Sequence, residues 1–156
     1  KRSLDMSIGL EKFSVSTFGL LTSTILGNVF STVWFMVLFD KTWDKYSGYN
    51  EEELKKIRGK SQRKSVVLSL IEQLISSYIY AVLAENLQIT SLTWAAILGA
   101  ALWFGFIATV GANEVLWHGE KIQFYALQQA CYLLRTVLKG GVYVFVANLP
   151  STIVLF

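Results

Sequence analysis

Four apolar windows, Ser16 to Phe39, Val66 to Ala84, Leu92 to Ala112 and Phe124 to Ala147, dominate the chain. Each comes close to the ~20 residues that carry a helix across a bilayer. Hydrocarbon offers no partner to a backbone N–H or C=O, so a window of this kind must fold as a helix that satisfies its own backbone. What remains of the 156 residues is too little for a second core, and 53% hydrophobic against 16% charged content excludes an ordinary soluble domain. The expectation is an all-α fold over residues 1–156. It is a polytopic membrane protein of four transmembrane helices, in which the short connection Glu85 to Ser91 makes the middle two an antiparallel hairpin.

The long hydrophilic stretch, Asp40 to Ser65, adds one further element. Asn50 ahead of Glu51, Glu52 and Glu53 is an N-cap with acids against the positive end of a helix. Glu51 with Lys55, and Glu52 with Lys56, stand at the i, i+4 spacing that supports the same helix. The spacing predicts a short surface helix leading into the second span. Before the first window, Leu4, Met6, Ile8, Leu10 and Phe13 among charges predict a segment lying along the membrane surface. Pro150 lies beyond the last window, so no proline breaks a helix interior.

Orientation follows from Lys and Arg in the connections. Asp40 to Ser65 holds eight (Lys41, Lys45, Lys55, Lys56, Arg58, Lys60, Arg63 and Lys64) and the third connection adds Lys121, against Lys1, Arg2 and Lys12 on the other side. The loop 40–65 is therefore expected on the cytoplasmic face, or the face from which the chain inserts, with both termini opposite. The net charge of +3 is concentrated in that loop, which points to anionic lipid headgroups rather than nucleic acid. Trp43, Trp94 and Trp117 near the predicted span ends fit headgroup anchoring.

Arg135 and Lys139 stand one turn apart inside the fourth window, where a cation is costly unless it faces protein or water. Gln128, Tyr132, Arg135, Lys139 and Tyr143 share one helical face, and Ser65, Ser69, Glu72, Ser76 and Tyr80 share one on the second span. Both spans run in the same direction, with Glu72 about 9 Å and Arg135 about 16 Å from their starts. The offset lies within reach of an Arg side chain, so Glu72 and Arg135 are expected to pair, with Lys139 near Tyr80. The expected intramembrane polar site is thus Glu72, Tyr80, Gln128, Arg135 and Lys139. It is open between a proton, anion or headgroup site and a buried ion pair that fixes helix docking.

Gly19, Ser23, Gly27 and Ser31 recur every four residues on the first span, a small-residue stripe that lets another helix approach closely. Ala101, Gly105, Ala108 and Ala112 on the third span are a candidate partner, and Asn28 is a candidate interhelical donor. Gly140 and Gly141 imply either a local kink or a close contact in the fourth span. A single cysteine, Cys131, and a single histidine, His118, leave no dedicated Cys- or His-based metal site, and no cofactor motif is present. His118, placed in the third connection, is expected to be an ordinary interfacial histidine.

With Trp34-Phe35, Phe39 and Trp43 after the first span, and Gly105-Phe106-Ile107-Ala108 with Asn113 in and after the third, the chain resembles a widespread family of small four-helix membrane proteins. That family is domain of unknown function 1761, and the similarity runs from about Leu26 to Ala147. The resemblance implies the four-span layout and brings no activity, so no functional residue carries over. The small-residue stripe, the excess buried cations and the lack of a catalytic set lead to one functional expectation. It is a non-enzymatic accessory or structural subunit of a larger membrane assembly, docking through its transmembrane helices. The expected partners are membrane lipids and other membrane subunits or further copies of the chain. The alternative is a small oligomeric transporter or channel with a proton or anion path lined by Glu72, Arg135 and Lys139; a lipid-modifying enzyme ranks third.

Overall fold

The computed structural model describes residues 15–59 and 62–149. Among these, every regular element is helical: α1 (Thr17–Val33), α2 (Asp40–Tyr46), α3 (Glu51–Arg58), α4 (Gln62–Asn86), α5 (Leu92–Leu102), α6 (Thr109–His118) and α7 (Ile122–Ala147). Two π-helical segments, Trp34–Leu38 and Trp103–Ala108, extend α1 and join α5 to α6. Four spans are long and apolar enough to cross a membrane: Thr17–Leu38, Lys64–Asn86, Leu92–His118 and Ile122–Ala147. The expected surface segment Lys1 to Phe13 and Pro150 lie outside the described residues.

Local chemistry explains the element ends. Ser16 and Ser91 turn their hydroxyls onto the N–H groups of Gly19 and Trp94, capping the first and third spans. At α3, Asn50 accepts from the Glu53 N–H while Glu53 accepts from the Asn50 N–H, a complete capping box. The third span continues to His118, six residues past the expected end at Ala112, because Gly119 is the first residue to adopt the left-handed conformation, at φ 71°, that stops a helix. The third connection therefore shrinks to three residues, and His118 closes a helix instead of lying in a loop.

The polar loop holds two short helices where the sequence predicts one. Its first, α2, follows the π turn in which the Phe39 N–H reaches the Trp34 carbonyl. Arg58 on α3 pairs with both Asp40 and Asp44 on α2, which ties the two together. Trp43 of α2 meets Phe124 at the start of the fourth span, with ring centroids 6.1 Å apart.

The fourth span is the hub. It buries 44% of its apolar window, against at most 22% for the other three, and packs chiefly on the first and third spans. The second span lies against the first and touches the third only lightly. A core of Tyr80, Ala81, Ala84, Ala95, Tyr143 and Val144 fills the end of the bundle near the 87–91 turn. Away from that turn the second and third spans part, and a cleft opens between them.

Candidate functional site

The cleft has a volume of about 650 Å³. The second span forms one wall, the third contributes Leu102, Phe106 and Ile107, and Thr136 and Lys139 of the fourth form the floor. Glu72, Ser76 and Tyr80 of the second span line it as well. The result is an apolar groove with a polar strip along its floor, at hydrocarbon depth.

Arg135 and Lys139 both point into the bundle. The Arg135 guanidinium reaches the Glu72 carboxylate at 3.5 Å and donates to Ser31 Oγ at 3.3 Å, while its carbon lies 4.8 Å from the centre of the Tyr132 ring. Its Nε is buried and unpartnered among the described residues. The pair is unequally placed: the Arg135 side chain is 10% exposed, and that of Glu72, facing the cleft, is 57% exposed.

Lys139 is 2% exposed. Its ammonium donates to the Gln73 carbonyl at 3.3 Å, to Gln73 Oε1 at 3.1 Å and to Ser76 Oγ at 3.0 Å. Three neutral acceptors thus take its three N–H groups, and no carboxylate among the described residues pairs with it. Gln73 in turn donates from Nε2 to Glu72 Oε2 at 2.9 Å, so one amide couples the lysine to the carboxylate.

The remaining expected residues fall differently. Tyr80 does not bond Lys139. Its hydroxyl donates to the Ala95 carbonyl at 2.6 Å, tying the second span to the third, because its ring lies over Gly140 instead. Gln128 is only half-buried and makes no hydrogen bond among the described residues, whereas its neighbour Gln129 is buried and accepts from Trp103 Nε1 at 3.1 Å. The small-residue stripe meets the fourth span of its own chain: Gly19 lies against Tyr143, Gly27 against the Lys139 stem, and Ser31 accepts from Arg135. The third span is not its partner, and Gly105 there contacts nothing that a Cβ would meet. Asn28 donates to Ser69 Oγ at 2.7 Å, joining the first two spans. Gly140 serves close contact; α7 runs unbroken past it.

The sequence reading missed Gln73, Ser77 and Glu85. Gln73, Ser77, Tyr80 and Ala84 recur at three- and four-residue steps, a second inward face beside the one chosen through Glu72. Glu85, assigned to the turn, is still helical and accepts from the Tyr143 hydroxyl at 2.7 Å. At the loop end, His118 and Glu114 pair at 2.8 Å across one exposed turn. Burial first, and the Glu114 charge second, raise the Glu120 carboxyl above its ordinary range.

A family model described as a protein of unknown function, DUF1761, matches residues 18–144, which takes in all four spans except their outermost residues. The chain belongs to the DUF1761 family. Comparison with curated proteins and with solved structures finds no significant match. The DUF1761 description assigns no activity, so the role of the Glu72, Arg135 and Lys139 cluster rests on its geometry.

Proposed function

We propose that the protein is a non-catalytic subunit of a membrane assembly, and that a transmembrane helix of another subunit seats in the cleft between the second and third spans. The observation that carries this is Glu72, 57% exposed at hydrocarbon depth. Arg135 and Gln73 answer the carboxylate on its inner side, but acyl chains filling the groove cannot solvate its exposed side, where an intramembrane charge is costly. A docked helix carrying a hydroxyl, amide or basic side chain opposite Glu72 would remove that cost. It would also cover Ile75 and Ile79, which are 55% and 53% exposed along the same wall.

The test is gentle extraction followed by native mass spectrometry. The expected species is the chain with a partner at fixed stoichiometry; a bare monomer would overturn the proposal. Ile75→Trp and Ile79→Trp fill the cleft without touching the bundle interior, so both should abolish co-purification while leaving the thermal melt of the isolated chain unchanged. Retention of the partner in both variants would place the docking surface elsewhere.

The positive charge of the loop 40–65 supports its placement on the cytoplasmic or inserting face, with the 87–91 turn opposite. In a Cys131→Ala background, a membrane-impermeant thiol reagent should label Tyr49→Cys from that face and Leu87→Cys from the other. Labelling of both from one face would refute the layout.

A further inference from the structure

The end of the bundle that carries the 87–91 turn holds a second cavity, of about 110 Å³, between the C-terminal ends of the second and fourth spans. Its wall is mostly polar, unlike that of the large cleft. Glu85 closes the second span, Gln88 and Thr90 belong to the turn, and Tyr143 and Asn148 end the fourth span. Glu85 Oε1 accepts from the Tyr143 hydroxyl at 2.7 Å, which holds the carboxylate in place and leaves Oε2 without a hydrogen-bond partner among the described residues. Asn148 donates from Nδ2 to the Thr90 carbonyl at 3.1 Å, and its Oδ1 likewise meets no donor among the described residues.

The charge lining this cavity is negative. Glu85 is the one charged side chain in its wall among the described residues, and the partially negative C-terminal ends of α4 and α7 converge beside it. One carboxylate among neutral oxygens suits a monovalent cation, since a calcium or magnesium site draws on more oxygen ligands and a transition metal on a cluster of His, Cys, Asp or Glu that the described residues do not form. An ammonium group carries three donors and no acceptor. Glu85 Oε2, Asn148 Oδ1 and the Gln88 amide oxygen supply acceptors for it. The volume equals that of a few waters, which admits an aminoethyl group and excludes a docked helix.

Two residues past Thr90 the sign reverses. The third span begins at Leu92, and while Ser91 Oγ accepts from the Trp94 N–H at 3.2 Å, the N–H groups of Leu92 and Thr93 have no partner among the described residues. That positive helix end can receive an anion. A cation pocket beside an anion-accepting helix end, at span ends where headgroups lie, is the pattern of a zwitterionic lipid. Leu87, Leu92 and Trp94 are exposed on the same flank and offer apolar surface to its acyl chains. We propose that the cavity binds the primary ammonium of a phosphatidylethanolamine headgroup, with Glu85 as its counter-ion and the lipid phosphate at the start of the third span. Phosphatidylcholine carries the same charges, but three methyl groups replace its N–H donors and enlarge the head, so it satisfies none of these acceptors.

The test offers the purified full chain equimolar phosphatidylethanolamine and phosphatidylcholine with identical acyl chains and counts bound lipid by native mass spectrometry. Phosphatidylethanolamine should be retained about tenfold or more over phosphatidylcholine, the worth of one hydrogen bond to a charged group. The N-methyl and N,N-dimethyl lipids, which lose the donors one at a time, should fall between. Glu85→Gln keeps an oxygen for the Tyr143 hydroxyl and removes the charge, so the ratio should fall toward one with the thermal melt unchanged. Asn148→Ala, at an exposed position, should also lower the ratio and serves if Glu85→Gln does not fold. Equal retention of the two lipids by the wild type overturns the site, as does an undiminished preference in a folded variant. Free ethanolamine should compete with the bound lipid where choline does not; competition by inorganic phosphate alone would move the contact to the helix end and overturn the role of Glu85. None of these outcomes depends on a helix seated in the cleft, which co-purification tests separately.

Discussion

Gly140→Ala is expected to lower the stability of the purified protein by about 3 kcal/mol or more, while Gly141→Ala, one residue on, leaves it unchanged or slightly raised. A Cβ on Gly140 would fall within 2.4 Å of Tyr80 Cζ and closer still to its hydroxyl, far inside any tolerated contact. The ring cannot retreat cheaply, because Tyr80 is 5% exposed and its hydroxyl is held on the Ala95 carbonyl. Accommodating one methyl group therefore breaks the bond between the second and third spans and repacks the core around Tyr143 and Ala95. At Gly141 a Cβ meets nothing within 4 Å, so the change only removes the conformational cost of a helical glycine. Gly27 gives a useful contrast: its Cβ would collide at 2.7 Å with Lys139 Cδ, the stem of a flexible side chain, and part of that clash can relax. Thermal unfolding in detergent measures all three. Adding Tyr80→Leu to Gly140→Ala should recover part of the loss, and a Gly140→Ala melt equal to wild type would show that the two spans are not locked at this point.

The four spans could be read from the chain because a bilayer imposes a length and an apolar composition that little else in a protein of this size shares. The Asn50 N-cap was equally legible, since a cap is local and owes nothing to tertiary packing. The polar site was less so, and the reason is geometric. One residue turns a helix by ~100°, and the second and fourth spans each place two polar residues side by side. At Glu72-Gln73 the carboxylate turns to the cleft and the amide turns under Lys139; at Gln128-Gln129 it is the second residue that is buried, against Trp103 of the third span. A one-face picture of the fourth span fails because this helix is a hub packed on two sides, so that polar positions on different faces are both enclosed. The extension of the third span to His118 escaped a hydropathy window for a simpler reason. Hydrocarbon thickness limits the apolar stretch, not the helix, which continues until Gly119 stops it.

Glu72→Leu should cost more than Arg135→Leu, although the two remove opposite ends of the same ion pair. With Glu72 gone, a guanidinium only 10% exposed keeps one hydrogen bond, to Ser31 at 3.3 Å, and the face of Tyr132, while its Nε already lacks a partner. A buried charge stripped of its counter-ion typically costs about 3–5 kcal/mol. With Arg135 gone, the carboxylate left behind keeps the Gln73 amide at 2.9 Å and, 57% exposed, is free to reorient along the cleft, which the enclosed guanidinium is not, so the loss should be the smaller of the two. The double variant Glu72→Leu with Arg135→Leu should recover most of what Glu72→Leu alone loses, because apolar replacement of both members of a buried pair is often close to neutral. Thermal and denaturant unfolding of the four proteins in one detergent close the cycle. Equal losses in the two single variants would mean that Glu72 depends on the guanidinium as fully as the reverse, which an open cleft does not allow. A double variant as unstable as the sum of the singles would mean that the two groups act separately and that the 3.5 Å contact contributes nothing to how the second span docks on the fourth.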